Sequence, residues 1–438
     1  MFEDYEKRTK ASKELHERAK KVLPGGISYA IRYFLPYPFY AKRAKGAYVW
    51  DVDGNKYIDL WMEHGAAVLG HNDERIINAV REQLEFGVHF GWANEWEVLW
   101  AEEITKWFGM DMVRPTNSGT EANMYAVRLS RAYTGRKVIV KAIGGWHGGY
   151  DGLMRGIHYP PDRAESLGIP GDFTRDTLLI PYNDITAAEK TIKSCNPAAV
   201  IVEPVLGAGG CIPAERDFLK ALRELCDETG TLLIFDEVIT GFRFYGGATN
   251  YFKVKPDIIT TGKAVGGQYF PGAGAICGKK DIMELLDHVK RPKYYERVFH
   301  GGTYVGNALS MRAGYELIRI LREDGEKIYR KLEDIGRKFM SGLEEIFSKH
   351  EISAYVTGVG SMIGLHFTEE PPRDFESSER TKNIELTRSL FYHMLNNGIA
   401  YLSPEKAHFF LSYAHSYEDI DTILRVVEEF ARSHRKVI

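Results

Sequence analysis

The chain has 438 residues, with 57 Lys and Arg against 60 Asp and Glu and a formal net charge of −3. That balance lacks the basic excess of nucleic-acid-binding proteins, so we expect no nucleic-acid partner. No apolar run is as long as a membrane span, and the first residues are charged throughout, so we expect a cytoplasmic protein with no membrane partner. The four cysteines form no CxxC pair and no metal-ligand spacing with histidine, so we expect no metal site.

The length exceeds what a single hydrophobic core supports and predicts two domains. Glutamine is scarce, with Gln83 and Gln268 alone, while 27% of the residues are charged. Few thermolabile amides together with many charges are typical of thermophile proteins. Compositional drift explains the scarcity of glutamine nearly as well.

The amino-terminal region begins with an amphipathic pattern that predicts a helix over 4–23, ended by Pro24 and two glycines. The aromatic, proline-broken stretch 28–40 follows, and we expect it to be extended and to cross a subunit interface. Arg32 lies among these aromatic residues. It has two possible roles, a cation–π or salt-bridge contact and a grip on a substrate carboxylate.

Two alternating runs over 47–60 flank Asp53-Gly54-Asn55, which predicts a β-hairpin. Helices are expected at about 73–85 and 95–108. Residues 116–122 read TNSGTEA, just before a helical pattern that continues to about Tyr133. Small residues at a helix amino end suit a phosphate, although the same letters also describe an ordinary helix cap.

After a predicted strand over 138–143, Trp146 and His147 are flanked by four glycines. Glycines let the backbone approach a ligand, and an indole offers a flat face for a ring. A Pro- and Gly-rich stretch over 155–174 is long enough to be a lid.

Three apolar strand patterns end on ionisable residues, namely Glu203, Asp236 and Lys263. Ligands of open α/β sheets bind at the carboxyl ends of strands, so we expect the three side chains to meet in one crevice. A partly buried lysine loses proton affinity and becomes a usable amine nucleophile. Taken alone, Lys263 fits equally well as a strand-end lysine whose ammonium reaches water.

Alternating strands and helices predict an α/β fold with a mostly parallel central sheet and a smaller carboxy-terminal α+β domain. We expect three regions: 1–60, comprising a helix, an interface segment and a hairpin that pack with the small domain; 61–315, a large domain; and 316–438, the small domain. In the last region, strands are expected at 361–367 and 409–413.

Five motifs, in this order along the chain, resemble those of the class III aminotransferases: NSGTEA, the WHG step, FDEVITGFR, TTGK and GGTYVGN. These are fold-type I enzymes that use pyridoxal 5'-phosphate (PLP). Within the class, the pattern is most similar to the glutamate-1-semialdehyde 2,1-aminomutases, through PGG at Pro24, Arg32, DVDG, PYND and SYAHSYEDID.

The resemblance implies a role for each matching position. Lys263 would form the Schiff base with PLP, and Asp236 would bind the pyridine nitrogen. It also implies a homodimer with shared sites, in which Thr303 reaches the partner's phosphate. The cofactor-binding residues implied are Ser118, Gly119, Thr120, Trp146, His147, Glu203, Asp236, Val238, Lys263 and Thr303.

The positions expected to bind substrate are Arg32, Tyr29, His64 and His408. Apart from Arg32, these differ from the aminomutase pattern, as do Phe299 and Ala407. The resemblance therefore favours a transaminase that moves an amino group between an amine or amino acid and a keto acid by ping-pong chemistry. The alternatives are the intramolecular shift of the aminomutase, an amino-acid racemase, and a PLP-fold binding protein without catalysis. The presence of both Lys263 and Asp236 argues against the last of these.

Overall fold

The computed structural model describes residues 2–163, 165–270 and 272–434. The chain divides into two compact units, which are described separately. The first unit comprises 1–73, 330–372 and 377–438; the second comprises 74–329 and 373–376. The domain limits expected from the sequence, at residues 60 and 315, remain a prediction.

The second unit is built on a seven-stranded sheet. In spatial order its strands are Met112–Thr116, Gly274–Gly278, Ile258–Thr261, Leu232–Asp236, Ala199–Val202, Ile139–Ala142 and Thr177–Ile180. Only Gly274–Gly278 is antiparallel to its two neighbours; the other pairings are parallel. The mostly parallel sheet predicted from the sequence is confirmed.

The central strands of this sheet are buried along their whole length, for example Leu232–Asp236 and Ile258–Thr261. Strands covered on both faces read as continuous apolar runs, which is how these segments read in the sequence. Helices surround the sheet: Glu74–Phe86, Glu95–Phe108, Gly119–Thr134, Gly171–Thr174, Ile185–Cys195, Arg216–Thr229, Gly247–Phe252, Lys280–Met283 and Ala308–Glu323.

The first unit contains two smaller sheets. One has the strands Ala41–Lys45, Tyr48–Asp51, Lys56–Asp59 and Ile399–Ala400, and the other has Tyr355–Val359, Met362–His366 and Ala407–Phe410. Its helices include Glu3–Arg8, Lys10–Ala19, Ile384–Asn396 and Tyr417–Ser433. The chain passes from one unit to the other within the helices Gly325–Lys349 and Phe375–Arg380.

Three local predictions need correction. The helix expected over 4–23 is broken at Thr9, whose hydroxyl donates to the carbonyl of Tyr5 and whose backbone leaves the helical region. The strand expected at 409–413 runs from Ala407 to Phe410 instead. The strand Tyr355–Val359 was not predicted; its half-buried residues include Gly358, which weakens the strand pattern.

Candidate active site

Three neighbouring strands bring the predicted ionisable residues to one edge of the sheet. Asp236 ends its strand opposite Thr260, and Phe235 lies opposite Val202, the residue before Glu203. Lys263 follows Thr261 after one glycine. The order of the strands therefore places Glu203, Asp236 and Lys263 at the same edge of the sheet, as expected.

Asp236 is almost fully buried, and its carboxylate is fixed by three contacts. Oδ2 accepts a hydrogen bond from Asn123 Nδ2 at 2.8 Å and lies 2.8 Å from His147 Nδ1. Oδ1 accepts from the backbone N–H of Val238 at 3.0 Å. Asn123 is itself oriented by the hydroxyl of Thr260, which donates to Asn123 Oδ1 at 2.6 Å. This network holds one carboxylate in a single orientation at the strand end.

His147 is 1% exposed and bonds to Asp236 through Nδ1. Burial lowers the pKa of its imidazole, and the adjacent Asp236 only partly offsets that effect. A neutral ring that donates from Nδ1 leaves Nε2 as an acceptor. Nε2 is buried and has no hydrogen-bond partner within the described residues.

Lys263 lies at the start of a short 3-10 turn with a left-handed backbone, φ 49°. Left-handed backbone in a residue other than glycine is strained, and such strain concentrates at functional sites. Burial lowers the pKa of its ammonium, against the opposing charges of Asp236 and Glu203. The result is an amine that loses its proton more readily than a surface lysine does.

Glu203 is 4% exposed and accepts two backbone hydrogen bonds, from Trp146 N at 2.8 Å and Gly207 N at 3.0 Å. Burial raises the pKa of its carboxyl, and the nearby charge of Asp236 raises it further. The contact to Trp146 ties the Trp146–His147 loop to the end of the strand Ala199–Val202.

The helix Gly119–Thr134 begins at this same edge, capped by Ser118, whose side chain accepts from Glu121 N. The first N–H groups of a helix have no acceptor within it. A Cβ on Gly119 would lie 2.8 Å from Val238 Cγ2, and one on Gly262 would lie 3.0 Å from Gly119 N. The helix start, Val238 and the residue before Lys263 are therefore in direct contact.

Lys141 was not predicted from the sequence. It is fully buried in the strand Ile139–Ala142, and its ammonium donates to the carbonyls of Gly145 at 2.8 Å, Arg155 at 2.7 Å and Leu153 at 3.4 Å. Burial lowers the pKa of this lysine to about 8. Its contacts fix the two ends of the loop that carries Trp146 and His147.

Asn123 was also missed. It lies inside a helix, where asparagine is a poor helix former, one turn after Gly119. That combination was a usable signal, since a buried amide inside a helix needs specific partners. Lys141 gave a comparable signal as a charge within an otherwise apolar strand.

All four residues predicted to bind substrate lie in the first unit. The ring centroids of Tyr29 and His64 lie 5.7 Å apart in a stacked arrangement, and those of Trp61 and His64 lie 4.6 Å apart in an edge-to-face arrangement. Arg32 is exposed; it lies 5.7 Å from the Tyr29 ring and donates to Ser28 Oγ at 3.4 Å. Arg32, Tyr29 and His64 therefore form one group, and their role in binding substrate remains a prediction.

His408 is buried in the strand Ala407–Phe410, opposite Gly364. Burial, and then the positive charge of Lys406, lower the pKa of its imidazole well below the ordinary value. A neutral imidazole forms hydrogen bonds but supplies no positive charge to a carboxylate. Thr303, in the second unit, is exposed, and its role at a partner's phosphate also stays a prediction.

These residues fit a PLP site. Its phosphate requires backbone N–H groups with room for close approach, which the helix start and the glycine at position 119 offer. Its pyridine nitrogen requires a buried anion, which Asp236 offers, and its aldehyde requires an amine with reduced proton affinity, which Lys263 offers. Within the described part of the chain no cluster of His, Cys, Asp and Glu forms a metal site, and no helix is both long and apolar enough to cross a membrane.

Known proteins match this chain along nearly its whole length. The chain is 40% identical over 422 residues to the glutamate-1-semialdehyde 2,1-aminomutase of Methanosphaera stadtmanae, covering 95% of this chain and 97% of that protein. It is 38% identical over 426 residues to the enzyme of the same name from Archaeoglobus fulgidus, covering 95% and 98%.

Solved structures match equally completely. An omega-transaminase from Sphaerobacter thermophilus superposes with a TM-score of 0.90 at 32% identity, over 96% of this chain and 97% of that one. A beta-phenylalanine aminotransferase from Variovorax paradoxus superposes with a TM-score of 0.89 at 32% identity, over 100% and 97%. The family model "Aminotransferase class-III" matches residues 32–430. The chain belongs to the class-III aminotransferases, and it is a PLP-dependent enzyme of the aminotransferase and aminomutase kind.

Proposed function

We propose that this enzyme moves an amino group within a small carboxylate substrate, as the glutamate-1-semialdehyde 2,1-aminomutases are named for doing. The observation that carries this proposal is the identity of 38–40% to proteins of that name over 95% of the chain. It favours the intramolecular reaction over the ping-pong transamination that the substrate-side residues had suggested.

The cofactor would be held by the residues at the sheet edge. Lys263 would carry it covalently, and the carboxylate of Asp236 would bind its ring nitrogen. The amides of Gly119 and Thr120, with Ser118, would bind its phosphate, and Val238 and Trp146 would cover its two faces. When bound, PLP supplies an electron sink for negative charge that develops on the substrate carbon.

Asp236 would hold a proton on the ring nitrogen, because the three contacts that fix its carboxylate prevent it from turning away. Nζ of Lys263 would accept a proton from the carbon that bears the amino group and return it to the neighbouring carbon. The lowered pKa of Lys263 suits that task, since a neutral amine is needed to accept the proton. Arg32 would bind the carboxylate through its planar guanidinium.

The second candidate is ping-pong transamination between an amine or amino acid and a keto acid. Two observations favour it: solved structures of transaminases match at 32% identity, and Ala407 and His408 are among the positions that differ from the aminomutase pattern this chain otherwise resembles. An intramolecular shift keeps one substrate in the site throughout. A transaminase releases a keto product before the second substrate binds.

One experiment separates the two candidates. The pure holoenzyme is incubated with glutamate-1-semialdehyde alone and, separately, with a panel of amino donors plus pyruvate or 2-oxoglutarate. The aminomutase reaction predicts isomerisation of the semialdehyde without any added amino acceptor, with the amino group moved from C2 to C1, the oxo group moved from C1 to C2, and the product retaining its nitrogen. Keto product from the donor panel, without isomerisation of the semialdehyde, would instead establish the transaminase.

A further inference from the structure

The stretch that carries His64 has an unusual backbone. Met62, Glu63 and His64 have φ values of 45°, 56° and 59°, and Gly65 follows at 79°. Three successive residues other than glycine in the left-handed region are strained, because each Cβ approaches the following carbonyl. Residues 62–65, which we name the left-handed segment, therefore require outside contacts to hold them.

Those contacts converge on one buried histidine. His71 Nε2 lies 2.7 Å from Asp59 Oδ2, and His71 Nδ1 lies 2.9 Å from Glu63 Oε1. The other oxygen of Asp59, Oδ1, accepts from the backbone N–H groups of Trp61 at 2.7 Å and Met62 at 3.2 Å. We call Asp59, Glu63 and His71 the His71 clamp. The clamp holds the left-handed segment at its first residue, through Asp59, and at its second, through Glu63.

An imidazole that hydrogen-bonds to two carboxylates does so best when both nitrogens carry a proton. Burial alone would lower the pKa of His71, but the bonds to Asp59 and Glu63 outweigh it and raise the pKa to about 9. Backbone bonds between His71 and Gly46, 2.8 Å in each direction, fix the histidine from the strand side. A further titratable group, His415, interacts with Asp59 and Asp419; burial lowers its pKa to about 4, so its imidazole adds no positive charge near neutral pH.

The clamp fixes the position of the residue that carries the His64 ring. The ring stacks on Tyr29 with an interplanar angle of 19° and forms an edge-to-face contact with Trp61, which packs in turn on Phe410. The clamp acts on the ring through the backbone of the left-handed segment, because Asp59 binds the N–H groups of Trp61 and Met62 and Glu63 lies next to His64 in the chain.

We propose that His71 is a positioning residue for substrate binding: clamped between Asp59 and Glu63, it holds the left-handed segment so that His64 stacks on Tyr29. The inference rests on the proposed function in one respect, since it takes the His64 and Tyr29 pair as part of the substrate side.

The test uses Glu63→Gln in the holoenzyme, with Glu14→Gln, an exposed acid on the helix Lys10–Ala19, as the matched control. Glu63→Gln keeps the size of the side chain and removes its charge. We expect PLP content and kcat to stay within about threefold of the parent, and KM for the amino substrate to rise roughly 10-fold to 100-fold, the loss that follows a small misplacement. The control should change none of these.

A second variant, Glu63→Gly, relaxes the backbone at a φ of 56° while removing the same carboxylate. We expect it to unfold at no lower denaturant concentration than Glu63→Gln and still to show the raised KM. An unchanged KM in both Glu63 variants would overturn the inference. A joint collapse of PLP content, kcat and stability in both would also overturn it, because the clamp would then be merely structural.

A spectroscopic readout keeps the test independent of activity. In the parent, the NMR signal of the His64 ring should be displaced by the adjacent Tyr29 and Trp61 rings, and His71 should titrate near pH 9. Glu63→Gln should lower the His71 titration midpoint and move the His64 signal towards that of a free histidine. A parent that turns over no amino substrate would count against the proposed function alone. An unmoved His64 signal would count against the clamp.

Discussion

Asp236 shows how much a single carboxylate depends on its surroundings. Its two oxygens have three protein contacts, and one of the partners, Asn123, is held by Thr260. The sequence placed Asp236 at a strand end, because an apolar run stops there. The partners that fix its orientation come from a helix and a distant loop, so no local pattern could predict them.

The variant Asp236→Asn tests the role of this charge. An amide cannot stabilise a proton on the ring nitrogen, and each pKa unit lost there corresponds to about 1.4 kcal/mol. We expect kcat to fall by about 100-fold or more while PLP remains bound and the denaturation midpoint moves little. Asp217→Asn, on an exposed acid, is the control. A kcat within a few-fold of the parent would contradict the role proposed for Asp236.

Lys141 should make the stability of the fold depend on pH. Its pKa is lowered from 10.5 to about 8, so between these values the folded protein binds fewer protons at this site than the unfolded chain. Stability contributed by this site therefore rises with pH across that window. The free energies of unfolding of the parent and of Lys141→Met are measured by denaturant titration from pH 7.5 to 10.5. We expect the parent to gain stability relative to the variant as the pH rises. A constant difference would show that Lys141 keeps its proton in the fold.

At the scale of elements, the site depends on close contact between the helix start and the strand end before Lys263. Gly119 has no space for a methyl group, because Val238 already occupies it at 2.8 Å. The sequence predicted the helix start and its capping residues. It could not show that position 119 packs on residue 238, since the two meet only when the sheet has formed.

Gly119→Ala should displace Val238 or the helix start at a cost of about 1–3 kcal/mol, typical of overpacking. We expect the affinity for PLP, measured by resolving and titrating the cofactor, to fall about tenfold or more. Gly171→Ala, which meets no atom within 4 Å, is the control. Equal PLP affinity in the two variants would exclude the close-contact account.

The left-handed segment marks a limit of sequence reasoning. Residues 62–65 read MEHG, and neither Met62 nor Glu63 favours a positive φ by itself. Their backbone is explained by partners before and after them in the chain, Asp59 and His71. The hairpin 47–60, in contrast, was predicted correctly because its alternation and its turn residues are local signals.

For the whole molecule, the mostly parallel sheet followed from the alternation of apolar runs and helical patterns. The strands Gly274–Gly278 and Met112–Thr116 pair antiparallel at one side of that sheet, which the order of elements alone did not predict. Sequence patterns fix the kind of element more readily than they fix which strands become neighbours.

Residues 86–92 expose four large apolar side chains in alternation. Trp92 is 83% exposed and Phe86 is 76% exposed, with Val88 and Phe90 between them. Such a patch marks an interaction surface, and we expect this chain to form a homodimer that covers it. Sedimentation should give a mass about twice the 49.8 kDa chain, and Trp92→Glu should shift it towards monomer. Phe173→Glu, an isolated exposed residue, should not. A parent that sediments as an active monomer would contradict the dimer.

The most direct test of the account is the identity of the lysine that carries PLP. The holoenzyme is reduced with borohydride, digested and analysed by mass spectrometry. We expect the cofactor to be fixed on the peptide containing Lys263, and Lys263→Ala to give no labelled peptide and no turnover. Labelling at another buried lysine such as Lys141, or normal turnover by Lys263→Ala, would contradict it.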